Sequence, residues 1–216
     1  NAKAQYFLSQ YDNSNFYLSY YCDNEKGYIN WATYWVKYRN NAIYWGKKLF
    51  NQNTPYKWIV AENIAEHYKE LAKSCKDYGN NYYYYYNKKE NKWYEKIIKG
   101  TKGDTNNEYH YCNANAFLGY NYEQGIGLKQ DYKKAIDLYI EASNNTPYIC
   151  VDWKGDTTNT NEWKGGIEKR IGECYMKIKD YKQAVLHYQS SINLDSSKYN
   201  LFPMFRLGYC YENGYG

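Results

Sequence analysis

One ten-residue pattern occurs twice in this chain and constrains its fold more than any other feature. The pattern Leu-Gly-x-x-Tyr-x-x-Gly-x-Gly occupies residues 118–127 and again residues 207–216. After the first copy, Ala135, Tyr139 and Ala142 follow at i, i+4 and i+7, which is the spacing of one face of an α-helix. A repeated unit of this size cannot bury its apolar face alone, so neighbouring units must stack. The pattern therefore predicts helix pairs packed in series.

Small residues mark the turn and the contact between the two helices of such a pair. Gly119 and Ala135 leave room for the helices to approach closely. Gly125 and Gly127 permit the left-handed backbone of a turn, and Asp131 can cap the helix that follows. These positions predict two helices joined by a glycine turn.

The stretch 114–142 resembles a Sel-1-like repeat, a member of the tetratricopeptide superfamily, and it matches at nearly every signature position. The copy at 206–216 is similar and stops where its second helix should begin. Between them, residues 171–191 resemble an ordinary tetratricopeptide unit with a tighter turn. The matching positions there are Ile171, Gly172, Tyr175, Asp180, Tyr181, Ala184, Tyr188 and Ser191.

This resemblance is clear over about 112–216 and loose over 1–100. It implies an all-α fold, an α-solenoid of stacked antiparallel helix pairs that is incomplete at its C-terminus. Residues 101–216 would hold the Sel-1-like and tetratricopeptide-like repeats. Residues 1–100 would hold divergent helix pairs with insertions, and both parts would form one continuous solenoid.

The first half of the chain follows the repeat less closely. Residues 4–8 could open a helix, and residues 41–49 are typical of the second helix of a pair. The insert between them, which includes residues 28–38, predicts one or two extra helices. Pro55 then breaks the chain.

A further helix pair is expected from residues 59–75 and 81–99, where apolar residues recur at helical spacing. The five consecutive tyrosines at 82–86 could also form a strand by propensity. A helix is favoured because the surrounding segments predict helix pairs. Residues 100–108 and 144–165 are polar and rich in turn-forming residues, which predicts loops.

The sequence offers no set of residues for catalysis or for holding a metal or cofactor. His67, His110 and His187 stand in no metal-binding or catalytic spacing, which favours solvated or hydrogen-bonded helix positions. The glycines of residues 125–127 are explained better by the repeat turn than by phosphate binding. We therefore expect a chain that is not an enzyme, with no catalytic residue, no metal and no cofactor.

The cysteines form no C-x-x-C pair; they are Cys22, Cys75, Cys112, Cys150, Cys174 and Cys210. Cys174 and Cys210 occupy equivalent positions of adjacent repeats. Equivalent helices lie about 8–10 Å apart, whereas a disulfide tolerates a Cα separation of about 7 Å. We expect these two to be buried and unbonded. Cys150 could pair, with Cys112 as one candidate, so the compartment stays unknown, and a soluble intracellular protein is only slightly favoured.

The net charge of +5 is weak for a dedicated nucleic-acid binder, so nucleic acid is a disfavoured partner. The stretch 88–102 nevertheless combines lysines with Trp93 and Tyr94 and follows the tyrosine run. It could bind a polyanion or single-stranded nucleic acid through residues 82–102. The alternative, which we favour, is an amphipathic helix whose aromatic and isoleucine side chains point inward.

The resemblance also implies a function. First helices of stacked pairs line a concave groove that holds a peptide or a helix of another protein chain, so the chain would be an interaction scaffold or adaptor within a larger assembly. By register, the groove residues would be Asn113, Tyr120, Glu123, Lys169, Glu173, Lys177, Phe205, Tyr209 and Asn213.

The end of the sequence suggests an alternative role, a structural subunit that stacks end to end. The last copy presents apolar residues between Phe202 and Tyr211 with no second helix to cover them. We expect further chain or a like subunit to cover this segment. The chain starts without Met and without a signal pattern, as expected of a processed product or fragment, and no apolar run of about 18 residues predicts a membrane helix.

Overall fold

A computed structural model of the protein describes residues 25–52, 54–76, 80–146, 150–151, 157–158, 160–194 and 201–215. Its α-helices are α1 (Glu25–Phe50), α2 (Lys57–Cys75), α3 (Asn80–Thr101), α4 (Glu108–Gln124), α5 (Tyr132–Asn144), α6 (Thr160–Lys177), α7 (Tyr181–Leu194) and α8 (Leu201–Glu212). Within these residues the strands are β1 (Cys150–Val151) and β2 (Thr157–Thr158), which pair antiparallel with Cys150 opposite Thr158. The predicted all-α fold class is confirmed.

The chain divides into two compact units, Asn1–Ile97 and Ile98–Gly216, and the division falls within α3. The expected helix at residues 4–8 lies outside the described residues. The continuity of one solenoid through both units stays a prediction.

Helix α1 of the first unit differs from the sequence prediction. Residues 28–38 and 41–49 were expected in separate helices, yet both belong to the single helix Glu25–Phe50. Neither glycine nor proline occurs between Tyr28 and Arg39 or through residues 40–45, so nothing in this stretch ends the helix. Pro55 does lie in the turn between α1 and α2, as predicted.

An aromatic cluster joins the three helices of this unit. The ring of Phe50, the last residue of α1, meets Trp58 of α2 edge-on at 5.7 Å and Trp93 of α3 at 5.1 Å. Lys96 extends over the rings of Phe50 and Trp93. The cluster closes the core where α1 ends.

The tyrosine run lies in α3, so the helical alternative is confirmed for residues 82–86. Farther along the helix, Trp93, Tyr94 and Ile97 are buried and Lys96 is exposed. This is the amphipathic arrangement favoured by the sequence.

Helices of the second unit pack in chain order, α4 on α5, α5 on α6, α6 on α7 and α7 on α8. The two helices of the first pair are antiparallel, because Tyr111 near the start of α4 donates to Glu141 near the end of α5 at 2.7 Å. Residues Tyr139, Ile171 and Cys174 share one buried cluster, which continues the core from the first pair into α6. The predicted stacking of helix pairs is confirmed here.

The turn of the first pair has the expected backbone. Gly125 and Gly127 have φ values of 71° and 68°, in the left-handed region. The Asp131 carboxylate accepts from the backbone N–H of Lys134 at 3.1 Å and caps α5. Both predictions for this turn are confirmed.

Close approach of paired helices is achieved against a tyrosine ring. A Cβ on Gly119 would lie 3.0 Å from the Tyr139 ring and 3.4 Å from the Ala135 carbonyl oxygen. A Cβ on Gly172 would lie 2.7 Å from the Tyr188 ring. The small residue is needed because the ring already occupies the space beside the glycine.

The two expected loops are shorter than predicted. Residues 100–108 contain the end of α3, a 3₁₀ turn at Thr105–Asn107 capped by Asp104, and the start of α4. Within residues 144–165, α6 already begins at Thr160. The Gly165 carbonyl accepts from the Ser191 hydroxyl of α7 at 2.7 Å, a tertiary contact in a part of α6 where glycine has low helix propensity. In the described part of the chain, no helix has both the length and the apolar character of a membrane span.

Candidate functional site

The first helices of successive repeats in the second unit, α4, α6 and α8, contact one another through side chains. The guanidinium of Arg170 on α6 lies 4.7 Å from the ring centroid of Tyr120 on α4. The ammonium of Lys169 on α6 lies 5.7 Å from the ring centroid of Phe202 on α8. Side chains of the three helices therefore form one surface, which we call the first-helix face. It comprises Asn113, Phe117, Tyr120, Glu123, Gly166, Lys169, Arg170, Glu173, Lys177, Phe202, Phe205, Arg206, Tyr209 and Asn213.

A three-residue link underlies the face between the first two pairs. The Tyr139 hydroxyl of α5 donates to Glu123 Oε2 of α4 at 2.6 Å, and Arg170 Nη1 of α6 donates to the same oxygen at 3.2 Å. Burial and the neighbouring Glu123 carboxylate raise the pKa of Tyr139, which keeps its hydroxyl protonated as the donor. The carboxylate thus joins both helices of one pair to the first helix of the next.

The same link recurs one pair later. The Tyr188 hydroxyl of α7 donates to Glu173 Oε1 of α6, and Arg206 Nη2 of α8 donates to Glu173 Oε2 at 2.6 Å. The hydrogen bond with Glu173 raises the pKa of Arg206. Glu123 lies four residues after the glycine of its helix, whereas Glu173 lies one residue after its own. The linking glutamate therefore occupies repeat positions that differ by about one helical turn.

These links decide how the two glutamates of the predicted groove behave. The side chain of Glu123 is 13% exposed against 40% for Arg170, and that of Glu173 is 21% exposed against 30% for Arg206. In each link the carboxylate lies deeper than the guanidinium. Both glutamate side chains are bound by residues of the array itself, and the arginine side chains are the more accessible members of each link.

Aromatic residues and cations alternate across the face. Tyr120 contacts Arg170, and the Phe202 ring contacts both Lys169 and Arg206, the latter at 5.3 Å. Cation–π contacts of this kind contribute roughly 0.5–1 kcal/mol at exposed sites. They hold the long cationic side chains in place, which lowers the entropy lost on binding.

A cavity of about 300 Å³ opens beside the middle of the face. Its lining includes Glu123 from α4, Glu173 and Lys177 from α6, and Gln130 from the turn before α5. Three predicted groove residues are therefore gathered around one polar depression.

The remaining predicted residues lie at the edges. Asn113 is half-buried, whereas Phe205 and Tyr209 are exposed. Asn213 is exposed just after α8, and its amide donates to the Tyr209 carbonyl oxygen at 2.8 Å. Their role in binding stays a prediction.

Sequence reasoning missed Arg170 and Arg206, the two residues that connect neighbouring pairs. Each lies two positions before the repeat glycine, in the strings Arg-Ile-Gly and Arg-Leu-Gly. The first repeat has Phe117 at this position. The shared Arg-x-Gly spacing was the available signal.

A separate polar network lies between α5, α6 and α7. Glu168 accepts from the Ser143 hydroxyl at 2.9 Å through one oxygen and lies 2.7 Å from His187 Nδ1 through the other. Burial raises the pKa of Glu168, but its hydrogen bonds with His187 and Ser143 outweigh that effect, so the pKa is lowered. The carboxylate separates the serine from the histidine, so this arrangement cannot activate the serine as a nucleophile.

Two of the histidines and two of the cysteines have the environments that the sequence predicts. His187 and His67 are hydrogen-bonded, as expected, the latter at 2.8 Å from Arg39 Nη1. Cys174 and Cys210 are buried free thiols, which confirms the prediction for them.

Two further points concern thiols and metals. Cys112 is a buried free thiol, so the candidate pairing of Cys150 with Cys112 is wrong, and the side chain of Cys150 lies outside the described residues. Among the described side chains, no three His, Cys, Asp or Glu residues cluster in a way that could hold a metal ion.

Comparison with known proteins gives little beyond this geometry. No protein-family model matches the sequence, and no curated protein matches it. Among solved structures, a Sel1 repeat protein from Oxalobacter formigenes is similar, with 18% identity over 99% of this chain and 91% of that chain and a TM-score of 0.36. Similarity at this level decides neither fold nor function, which rest on the contacts described above.

Proposed function

We propose that this chain is a protein-interaction scaffold that binds a segment of another protein on the first-helix face. The observation that supports this is the concentration of exposed aromatic side chains there. Phe117, Tyr120, Phe202, Phe205 and Tyr209 are all exposed, and Phe205 reaches 71%. Aromatic residues with arginine neighbours are the types most enriched at the energetic centres of protein interfaces.

The order of the underlying helices strengthens the proposal. The tyrosine–glutamate–arginine links fix α4, α6 and α8 relative to one another before a partner arrives. A surface that is already ordered loses less entropy when it binds. The face is therefore suited to holding an extended or helical segment.

The proposal is tested by selecting peptides from a displayed random library on the full chain. Selected peptides should lose at least tenfold in affinity for a variant carrying Tyr120→Ser, Phe205→Ser and Tyr209→Ser. Leu186→Ser is the matched control, because Leu186 is an exposed apolar residue on the second helix α7. Equal binding to wild type, triple variant and control would contradict the proposal.

A second candidate is the end-to-end subunit, and the exposed surface of α8 favours it. Three positions on each first helix are equivalent when they are counted back from the repeat glycine. They are Cys112, Asn115 and Gly119 on α4, Gly165, Glu168 and Gly172 on α6, and Leu201, Met204 and Gly208 on α8. All are buried on α4 and α6, whereas on α8 all three are exposed, with Leu201 at 65%. We propose that a helix of a like subunit covers this surface.

Sedimentation velocity at rising concentration tests this second candidate. Wild type should self-associate, and Met204→Glu should shift the chain toward monomer, because it places a charge in the exposed apolar surface. Leu186→Glu should not change the association. A stable wild-type monomer at high concentration would rule the candidate out.

The polyanion alternative retains less support. Tyr82, Tyr84 and Tyr85 are exposed, and Lys89 extends over the Tyr85 ring. However, Trp93 and Tyr94 of the same stretch are buried and cannot stack on bases. Binding of single-stranded oligonucleotide at low salt, lost in Tyr84→Ala with Tyr85→Ala, would be needed to revive it.

A further inference from the structure

We propose that the segment held by the first-helix face is acidic, with carboxylate side chains that meet the middle helix α6 and apolar side chains that meet α4 and α8. This inference rests on the proposed scaffold function and names the chemistry of the partner. Its basis is the distribution of charge and ring surfaces over the three helices.

Cations concentrate on the middle helix. The exposed side of α6 carries Lys169, Arg170 and Lys177, which span about 12 Å at the helical rise of about 1.5 Å per residue. Gly166 lies one turn before Lys169, and no described atom outside its own turn of helix lies within 4 Å of where its Cβ would be. The surface at Gly166 in the middle of the face is therefore open, and positively charged side chains lie beside it.

The carboxylates of the face do not cancel this charge at its surface. Glu123 and Glu173 are less exposed than their arginine partners, and each already accepts from a tyrosine hydroxyl. Lys169 and Lys177 form no ion pair within the described part of the chain. A ligand approaching α6 therefore meets cations first.

Rings border this positive strip on both sides. Phe117 and Tyr120 lie on α4, and Phe205 and Tyr209 lie on α8. A peptide backbone along α6 could direct carboxylates to the strip and apolar side chains outward to these rings. Opposite charge at an interface favours the correct register and speeds association.

The short strip favours a peptide over nucleic acid. Exposed carboxylates bound the face, with Glu162 in the first turn of α6 and Glu212 at the end of α8. A single-stranded nucleic acid carries phosphates at every nucleotide and needs a longer continuous track of cations. A peptide can place its few carboxylates only where cations occur.

The test uses twelve-residue synthetic peptides with fixed leucine and tyrosine positions, in which the other positions are all Glu, all Gln or all Lys. Fluorescence anisotropy with the full chain should show the Glu series binding at least tenfold more tightly than the Gln series. Lys169→Glu with Lys177→Glu should remove that preference, and neither residue belongs to a tyrosine–glutamate–arginine link. Lys182→Glu, on the exposed surface of α7, is the charge-matched control.

A second variant tests position without changing charge. Gly166→Trp places a ring on the open surface in the middle of the face. It should lower the affinity for the Glu series by at least tenfold while the circular dichroism spectrum stays helical. Unchanged affinity in this variant would overturn the proposal.

The remaining outcomes separate the two proposals. Equal affinity of the Glu, Gln and Lys series would overturn the acidic segment and leave the scaffold function standing. No binding by any series, together with failure of the displayed library, would overturn both. A twenty-nucleotide oligothymidylate that binds α6 more tightly than the Glu series, and loses affinity in Lys169→Glu with Lys177→Glu, would replace the peptide by nucleic acid.

Discussion

The ring of Tyr188 occupies the space that any side chain on Gly172 would need. A Cβ at Gly172 would lie 2.7 Å from Cε1 of that ring and 2.9 Å from Cδ1. Tyr188 cannot move aside easily, because it is fully buried and its hydroxyl donates to Glu173. The glycine is therefore a packing requirement of the second pair, and Gly119 against Tyr139 is its counterpart in the first.

We expect Gly172→Ala to destabilise the chain by about 1–3 kcal/mol, the usual cost of overpacking a buried contact. Gly119→Ala should cost less, because its Cβ would lie 3.0 Å from the ring, whereas Gly119→Leu should reach the same range. Urea unfolding followed by circular dichroism measures these differences.

Gly166→Ala is the matched control for this prediction. Gly166 lies in the same helix as Gly172, and no described atom outside its own turn of helix lies within 4 Å of where its Cβ would be. Alanine there should stabilise by about 0.5–1 kcal/mol through helix propensity alone. Stabilisation by Gly172→Ala as well would show that the Tyr188 ring does not press on this helix.

The link between Glu173 and Arg206 should appear as energetic coupling. In a double-mutant cycle of Glu173→Gln and Arg206→Ala, we expect a coupling energy of about 1 kcal/mol, within the range found for contacting residues. A cycle of Glu123→Gln with Arg206→Ala is the control, because Arg206 contacts Glu173 and not Glu123. Equal coupling in the two cycles would mean that the contact contributes nothing specific.

The helix pairs could be predicted because their signals are local. Gly125, Gly127 and Asp131 each act on the turn that contains them, and the Gly119 contact follows from a fixed repeat spacing. The tyrosine–glutamate–arginine links could not be predicted, because each link joins three helices and the position of its glutamate shifts by one turn between repeats.

Long-range contact also explains the errors at helix ends. Ser191 of α7, 26 residues away, donates a hydrogen bond to the Gly165 carbonyl within the early part of α6. No local pattern near Gly165 reports that contact. The charge distribution on the candidate site was missed for the same reason, since the burial of Glu173 depends on Tyr188 and Arg206.

The thiol of Cys174 should be far less reactive than that of Cys75. Burial raises the pKa of Cys174 to about 12, and the reactive species is the thiolate. Cys75, at the end of α2, is only half-buried. Brief alkylation of the native chain with iodoacetamide near neutral pH, mapped by mass spectrometry, should label Cys75 before Cys174. Labelling of Cys174 only after unfolding is the expected result. Equal labelling of Cys75 and Cys174 in the native chain would contradict the packing of α6.

Acid should weaken the network around Glu168. The hydrogen bonds from His187 and Ser143 lower the pKa of this carboxyl below its ordinary value near 4.5 despite its burial. The unfolded chain therefore takes up a proton at higher pH than the folded chain does. Stability from Glu168 is fully present above about pH 4.5 and is lost as the pH falls through the lowered folded-state pKa.

We expect Glu168→Gln to be less stable than wild type at about pH 6, and we expect the difference to shrink steadily toward about pH 3. Urea midpoints measured across this range provide the test, with Glu162→Gln on the exposed first turn of α6 as the control. A difference that stays constant or grows in acid would show that the ionised carboxylate is not favoured in the folded chain.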